Sequence, residues 1–382
     1  GFNRYNNTVG NTAPPTLSEN AQYNTRTIWT NTLKYSNEFG AHNLSVLVGS
    51  EALRNYGRSV GGGVTGLFST DFNFLQLGNG TSNVTNFSSA YVNALFSLFS
   101  RVDYSFNDKY LLGLTVRRDG SSKFGSKKRY GVFPSVSAGW RATNEKFLQN
   151  VSWLNDLKLR ASYGILGSEQ NVNASNAFTL FGGSFADAYY DIGGTSNSIV
   201  QGFYQTRNGN PNTSWEENVV TNVGFDATLF GSKLDVSFEV YKKSINGLLF
   251  PQPLPATAGN AAPPVINIGD IQNKGWDFSG FYHGKASQDF KYNIGVNLTT
   301  YKNLVVKIPD PGYFDVSDSR IGNLIRNKVG NPVGSFYGYK VVGLFKDDAD
   351  VAKSATQTDA APGRFKYLDV NNDGEISPDD RT

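Results

Sequence analysis

Leu98-Phe99-Ser100-Arg101-Val102-Asp103-Tyr104-Ser105-Phe106, the turn Asn107-Asp108, and Tyr110-Leu111-Leu112-Gly113-Leu114-Thr115-Val116-Arg117 decide how this chain folds. Taken two at a time, Leu98, Ser100, Val102, Tyr104 and Phe106 fall on one face of an extended strand, and Phe99, Arg101, Asp103 and Ser105 on the other. After the turn, Tyr110, Leu112, Leu114 and Val116 repeat the apolar face, while Thr115, Arg117 and Asp119 lie opposite. The pattern is a β-hairpin of long strands. Val132, Pro134, Val136, Ala138 and Trp140 add a third strand beyond a polar loop. An apolar face opposite a charged one suits either a soluble sandwich or a membrane barrel with a wet interior. Each strand alternates over about ten to twelve residues, closer to the roughly 9–11 needed to cross a bilayer than to the 5–6 typical of globular sheets. The sequence therefore predicts an all-β, antiparallel transmembrane β-barrel.

Working outward, Arg26–Ser36 and Asn43–Arg54 read as an earlier hairpin, and Leu157, Leu159, Ala161 and Tyr163 as one face of a single strand. Val219–Leu229 and Leu234–Val240 form another hairpin around Phe230-Gly231-Ser232-Lys233, and Trp276–Tyr282 pairs with Tyr292–Leu298. The stretches at about 55–94, 166–215, 247–272 and 303–335 lack this pattern and read as long loops. Short and long connections thus alternate along the chain, as in an outer-membrane barrel with tight turns on one side and large loops on the other. Gly61-Gly62-Gly63-Val64-Thr65-Gly66 matches the dinucleotide fingerprint literally, but no helix pattern follows it, so it reads as flexible loop.

The 382 residues have a mean hydropathy of −0.37 and contain no run of the roughly 18 apolar residues that a membrane helix needs, so any crossing is by strands. With no Met, no Cys and no signal peptide at Gly1, the chain is expected to be a processed protein or a fragment, and disulfide and thiolate chemistry are excluded. A net charge of +3, with bases and acids interspersed, gives no footprint for nucleic acid. Aromatic residues make up 14% of the chain, which suits interfacial girdles and ligand-binding loops.

Six segments stand in order along the chain: Arg118-Asp119-Gly120-Ser121-Ser122-Lys123-Phe124-Gly125, Phe133–Arg141, Asp156–Gly164, Asn267–Asp277, Val329–Tyr339 and the acidic run Asp369–Asp380. Together they resemble the barrel of the SusC/RagA family of TonB-dependent transporters. The resemblance implies a multi-pass barrel of the Bacteroidetes outer membrane, filled by an N-terminal plug and capped by a SusD-like surface lipoprotein that captures oligosaccharides or oligopeptides. It also implies import energised by TonB through an N-terminal region absent here. About ten or eleven strands are half of the roughly 22 of a plugged transporter, so the chain reads as a barrel fragment. A non-transporting barrel scaffolding a cell-surface complex is the alternative, and a soluble glycan-binding β-sandwich a third reading.

No enzyme chemistry is evident. His42 and His283 have no ligand-spaced partner, and no nucleophile elbow or phosphate loop appears. In the acidic run, Asp369, Asn371, Asp373, the Glu375 carbonyl, Ser377 and Asp380 occupy positions 1, 3, 5, 7, 9 and 12 of an EF-hand-like loop, with Gly374 at the turn. Position 12 is Asp instead of Glu, and no helices flank it, so calcium and a plain Asx-turn loop both stay open. Phe178, Phe181, Phe185, Tyr189, Tyr190, Phe203 and Tyr204 are candidate ligand or partner contacts, with packing of the loop on itself as the other reading. Arg101, Arg117, Arg160, Asn222 and Asp235 are expected to face the barrel lumen. Val102, Tyr104, Leu112, Leu114, Leu159, Val223, Phe225, Val236 and Phe238 are expected to face lipid.

Overall fold

The computed structural model describes residues 2–3, 14–183, 188–191, 193–194, 199–252, 254, 257, 259, 261–287, 289–315 and 322–382. In chain order the strands are β1 (Phe2–Asn3), β2 (Thr16–Phe39), β3 (His42–Leu67), β4 (Gly80–Phe106), β5 (Tyr110–Ser121), β6 (Tyr130–Arg141) and β7 (Leu154–Ser168). Four short loop strands follow: β8 (Leu180–Gly182), β9 (Tyr190–Asp191), β10 (Ile199–Val200) and β11 (Tyr204–Arg207). Long strands resume with β12 (Glu216–Leu229), β13 (Leu234–Pro251), β14 (Val265–Lys285) and β15 (Lys291–Lys307). The chain ends in β16 (Tyr313–Asp315), β17 (Ile325–Lys328), β18 (Ser335–Phe336), β19 (Val341–Leu344), the helix α1 (Asp348–Lys353) and β20 (Phe365–Tyr367).

Two compact units divide the chain. The first comprises Gly1–Trp140, Gly164–Trp215 and Leu249–Asn267, and the second Arg141–Tyr163, Glu216–Leu248 and Ile268–Thr382. In the first, β1 to β6 form an antiparallel meander in sequence order. In the second, β12 pairs with β13 and β14 with β15, each as an antiparallel hairpin.

Register fixes which residues share a face, because directly opposed residues point the same way. Val46, Val102, Leu114 and Val136 form one row across four strands, and Leu44, Tyr104, Leu112 and Ala138 the next. Phe99 opposite Arg117, and Arg101 opposite Thr115, belong to the other face. In the second unit Val223–Val240, Phe225–Phe238 and Ala227–Val236 are opposed on the apolar side, and Asn222–Tyr241 and Thr228–Asp235 on the polar side. The apolar side is left open: Val223 is 60% exposed, Ile294 58% and Leu298 51%. A sandwich would bury those side chains under a second sheet, whereas a barrel wall presents them to lipid. Among the described residues no helix is long and apolar enough to cross a membrane.

Short turns and long connections sit at opposite ends of the strands. Gly40–Ala41, Asn107–Lys109 and Phe230–Lys233 close the short ends. Asn107 and Asp108 both have φ near +50°, the type I′ geometry that matches strand twist. Aromatic rings gather there, with His42 4.9 Å from Phe106, Phe39 5.6 Å from His42 and Trp153 6.3 Å from Phe230, the composition of an interfacial girdle.

Three loop boundaries need correcting. Residues 55–94 are mostly strand, because β3 and β4 run far beyond the end of β5, and the connection is only 68–79. Sequence reading failed here because glycine and serine hide the alternation. A Cβ on Gly57 would come within 2.2 Å of the Tyr91 ring and one on Gly61 within 2.5 Å of the Phe87 ring, so each glycine makes room for a cross-strand aromatic. Leu17, Val64 and Leu67 are buried with Leu75 and Leu77 folded over them, which closes the far end of this hairpin. Likewise 247–272 shrinks to a connection at 252–264, and 303–335 contains the end of β15 together with β16 and β17. The strand expected near Phe336–Leu344 is two short pieces, β18 and β19.

The face assignment is testable by stability in lipid. Leu114→Arg, in the middle of the outward row, is expected to destabilise the barrel by about 2–4 kcal/mol. Thr115→Glu, directly opposite Arg101 on the other face, should be neutral or slightly stabilising. Unfolding in lipid vesicles measures both, and equal costs would reverse the assignment.

Candidate functional site

On the polar face of the first unit, Arg117 lies at the centre of a small lattice. Its Nε donates to Asp119 at 2.7 Å, its Nη2 donates to Ser97 Oγ at 2.8 Å and reaches Glu51 at 3.3 Å, and the guanidinium stands 5.5 Å over the Phe99 ring. Ser97 is fully buried, so its hydroxyl gains a fixed donor. Arg101 pairs with Asp103 on the same face at 2.7 Å. In the second unit Arg160 bridges Asp226 and Glu239, and Asn222 donates to Glu239 at 3.2 Å while meeting Ser162. Asp235 accepts from Thr228 at 2.8 Å and meets His283 at 3.0 Å. Individually such half-exposed pairs contribute little, about 0–1 kcal/mol. Together they hold five side chains, Arg101, Arg117, Arg160, Asn222 and Asp235, in defined positions.

At the long-connection end the first unit has a compact core that packs loop against loop. Phe124 from the β5–β6 connection, Val172 and Trp215 from the long connection after β7, and Leu249 and Val265 at the ends of β13 and β14 are buried together with Phe133. Trp215 lies tilted against Phe124 at 5.1 Å and edge-on to Phe133 at 5.4 Å, and its indole N–H donates to the Arg129 carbonyl at 3.0 Å. Asn176, completely buried, fastens this core. Its amide nitrogen donates to Thr213 Oγ1 and to the Val265 carbonyl, both at 3.0 Å, and its oxygen accepts from the Val265 N–H at 2.7 Å. Ser214 and Asn267 are joined by three further hydrogen bonds. A long polar loop thereby acquires a rigid base.

The loop aromatics rise from that base on two small hairpins. β8 pairs with β11, setting Tyr204 against Gly182 and Gln205 against Phe181, and β9 pairs with β10 through Tyr190 and Val200. Phe178, Phe181, Tyr190 and Phe203 are strongly exposed, Tyr189 is just exposed and Tyr204 is half-buried. Phe185 lies outside the described residues. Rings held outward on a braced loop can stack on a sugar face or a peptide side chain.

In the second unit the acidic run forms a turn closed by its own carboxylates. Asp369 accepts from the Gly374 N–H at 2.9 Å, Asn371 from Asp373 at 3.0 Å and Asp373 from Glu375 at 2.9 Å. Fully buried Asp380 accepts from Val370 and Ser377, both at 2.8 Å, and these backbone donors hold its pKa below the usual carboxylate value. Carboxylate oxygens of Asp369, Asp373 and Asp380 come within 4.8 Å of one another. Of the remaining expected ligands, the Asn371 amide donates to Asp373 at 2.8 Å, and the Ser377 hydroxyl caps the single 3-10 turn at Pro378–Asp380. Glu375 sits in a bridge to Thr356 in place of a flanking helix.

One group of residues went unnoticed in the sequence. The Arg326 guanidinium is sandwiched between Tyr313 at 3.8 Å and Tyr337 at 3.6 Å, and Asp315 takes it in a fork at 2.7 and 3.0 Å, which lowers the Asp315 pKa. Arg381 covers Tyr337 at 4.5 Å and so ties the acidic loop to this stack. No local spacing announces it, since the members come from β16, β17, the segment after β18 and the chain's last residues.

Comparison with known proteins gives a consistent result. Residues 1–372 match the family described as TonB dependent receptor-like, beta-barrel. "TonB-dependent receptor P3" of Formosa agariphila is 33% identical over 399 residues, covering 100% of this chain and 39% of that protein. "TonB-dependent receptor SusC" of Bacteroides thetaiotaomicron is 30% identical over 300 residues, covering 76% of this chain and 28% of that one. The chain thus spans well under half the length of these relatives. Among solved structures, the RagAB peptide transporter superposes with a TM-score of 0.80 at 24% identity, over 100% of this chain and 39% of that one, which supports the barrel-wall fold.

The loop core yields a direct test. Asn176→Ala strands the buried Val265 N–H and leaves the Val265 carbonyl with the Thr213 hydroxyl alone, a loss of about 1–3 kcal/mol. If opening is fast relative to cleavage, protease should cut the 169–215 loop in intact outer membranes roughly 5- to 150-fold faster. An unchanged cutting rate would show that Asn176 does not fasten the loop.

Proposed function

Because this chain belongs to the TonB-dependent receptor-like β-barrel family, we propose that it forms wall strands and outer loops of a TonB-energised outer-membrane importer. Its cargo is an oligosaccharide or oligopeptide, captured with a SusD-like surface lipoprotein that acts as a lid. Two relatives are named as TonB-dependent receptors, SusC among them, and one structural neighbour is the RagAB peptide transporter.

The observation that carries this reading is the exposed set Phe178, Phe181, Tyr190 and Phe203 above the buried Trp215–Asn176 core. Fixed aromatic platforms bind extended ligands at low entropic cost, and a packed base keeps them in place through cycles of lid opening. The lattice around Arg117 in the first unit, and that around Arg160 in the second, each give the polar face of the wall a hydrated, charged lining that suits a polar cargo and a plug. The test uses the complete protein purified from outer membranes. A co-purifying lipoprotein, together with TonB-dependent uptake of oligosaccharides or peptides that is lost on gene deletion, is the expected result. Recovery without a lipoprotein, with all such uptake intact after deletion, would replace the importer by a scaffold.

We further propose that Asp369, Asp373 and Asp380, with Asn371, the Glu375 carbonyl and Ser377, hold a calcium ion. Three carboxylates within ligand distance of one another, around a turn with Gly374 at φ +84°, fit a hard cation that takes oxygen ligands. The ion would cancel the repulsion of the carboxylates and stiffen the segment that Arg381 ties to the Tyr337 stack. Calcium should then slow proteolysis of residues 369–380, and Asp373→Ala should remove that protection, because no other nearby side chain supplies the position-5 carboxylate. Equal cutting with calcium and with chelator would leave only an Asx-turn loop.

A further inference from the structure

On the outward face of the second unit, side chains stay apolar for several steps above the short turns. One hairpin carries Phe225–Phe238 and Val223–Val240, and the other Phe278–Leu298 and Trp276–Thr300. The next outward position is basic on three strands. Lys242 stands opposite Thr221, and Lys274 stands opposite Lys302. Two ammonium groups on directly opposed residues repel each other, so this pair destabilises the sheet unless an anion lies between them. Among the described residues none of the three lysines makes an ion pair, and the acids nearest in sequence, Glu239 and Asp277, belong to the opposite face. All three lysines are exposed, and with Val223, Val240 and Trp276 they line a depression of ≈ 620 Å³.

Height places this depression. Ten residues separate Tyr292 from Lys302, about 33 Å along a strand, which at a tilt of about 40° rises about 25 Å, the height of a barrel's apolar band. The lysines therefore leave the hydrocarbon where the headgroups begin, on the side of the long connections, while Trp276 sits one step deeper. We propose that this depression is a binding site for a phosphorylated glycolipid of the outer leaflet. The three ammonium groups take the headgroup phosphates, and Val223, Val240 and Trp276 take the first part of the acyl chains. Charge complementarity selects a phosphate. The lipid-facing register selects a phosphate that carries a tail, because free phosphate would leave the apolar floor uncovered.

The experiment uses the complete protein in mild detergent, with native mass spectrometry as the readout. The probes are phosphorylated lipid A, the same lipid A after phosphatase treatment, and inorganic phosphate. Wild type should bind phosphorylated lipid A on the order of 100-fold more tightly than the triple variant Lys242→Gln, Lys274→Gln, Lys302→Gln. Dephosphorylated lipid A should bind both proteins equally weakly, and the corresponding triple Lys→Arg variant should keep most of the affinity. Heat-modifiable gel mobility verifies that each variant forms its barrel. If the triple variant does not, Lys302→Gln alone carries the test, with an expected loss of about five-fold. Equal binding of phosphorylated lipid A by wild type and glutamine variants would overturn the site. Competition by inorganic phosphate as effective as by lipid A would overturn the lipid as its occupant.

Discussion

Nothing in the hydrocarbon of a bilayer can hydrogen-bond a free N–H or C=O, and every feature of this chain follows from that constraint. A wall of strands satisfies its backbone only through its neighbours, so the strands must be long, antiparallel and in strict register, as the uninterrupted pairing of β4 with β5 from Phe106–Tyr110 to Leu95–Ser121 shows. Once backbone pairing is fixed, side chains have only two destinations. The outward row of Val46, Val102, Leu114 and Val136 meets lipid, and the inward one must be stable in water. The lattices around Arg117 and Arg160 answer that second demand. Each arginine finds two carboxylates and a hydroxyl, so every guanidinium is paired within the face, and the surplus negative charge stays open to solvent.

Beyond the strand ends water returns, the constraint lifts, and the chain solves a different problem. A long polar connection has little apolar surface of its own, so it orders itself by borrowing from the strand ends. Leu249 and Val265 terminate two strands, yet both are buried in the same cluster as Val172 and Trp215 of the loop. Asn176 then supplies what an apolar cluster cannot, direction, since its amide matches the donor and the acceptor of Val265 together. A loop organised this way can present aromatic rings without paying for their ordering at each binding event. That combination, a rigid base under exposed Phe and Tyr, is what the proposed capture role of these loops rests on.

How much of this was legible depended on whether a residue's role is local. Wall strands were readable from Val102, Leu114, Val223 and Phe238, because a period of two is written in consecutive residues. The same rule failed at 55–94. There Gly57 and Gly61 carry no side chain to alternate, and the pattern is completed by Tyr91 and Phe87 on a neighbouring strand. The acidic loop was readable as a turn that gathers Asp369, Asp373 and Asp380, since its spacing is local, although the sequence did not reveal that Ser377 serves as a helix cap and Asp380 as a backbone acceptor. The Arg326 stack and the Asn176 core were invisible, because each is assembled from segments far apart in the chain.

The tall strands of the first unit show where the membrane must end. β4 is flanked by β3 on one side along nearly its whole length, but on the other side β5 accompanies it only as far as Leu95. Ala94 is capped by Ser122, and among the described residues no strand covers the edge from Gly80 to Asn93. An open edge is intolerable in hydrocarbon and acceptable in water, so the bilayer cannot extend above Leu95. The eleven steps from Phe106 to Leu95 span about 36 Å along the strand, or about 28 Å of height at a tilt of about 40°, close to the thickness of a hydrocarbon core. On the outward face the composition shifts a little higher, with Leu98, Val102 and Phe106 below the level, Val92 just above it, and Asn86 and Ser88 beyond. Edge pairing therefore sets the upper limit of the hydrocarbon, and the part of the wall above it stands in water, where the open edge of β4 can be hydrated.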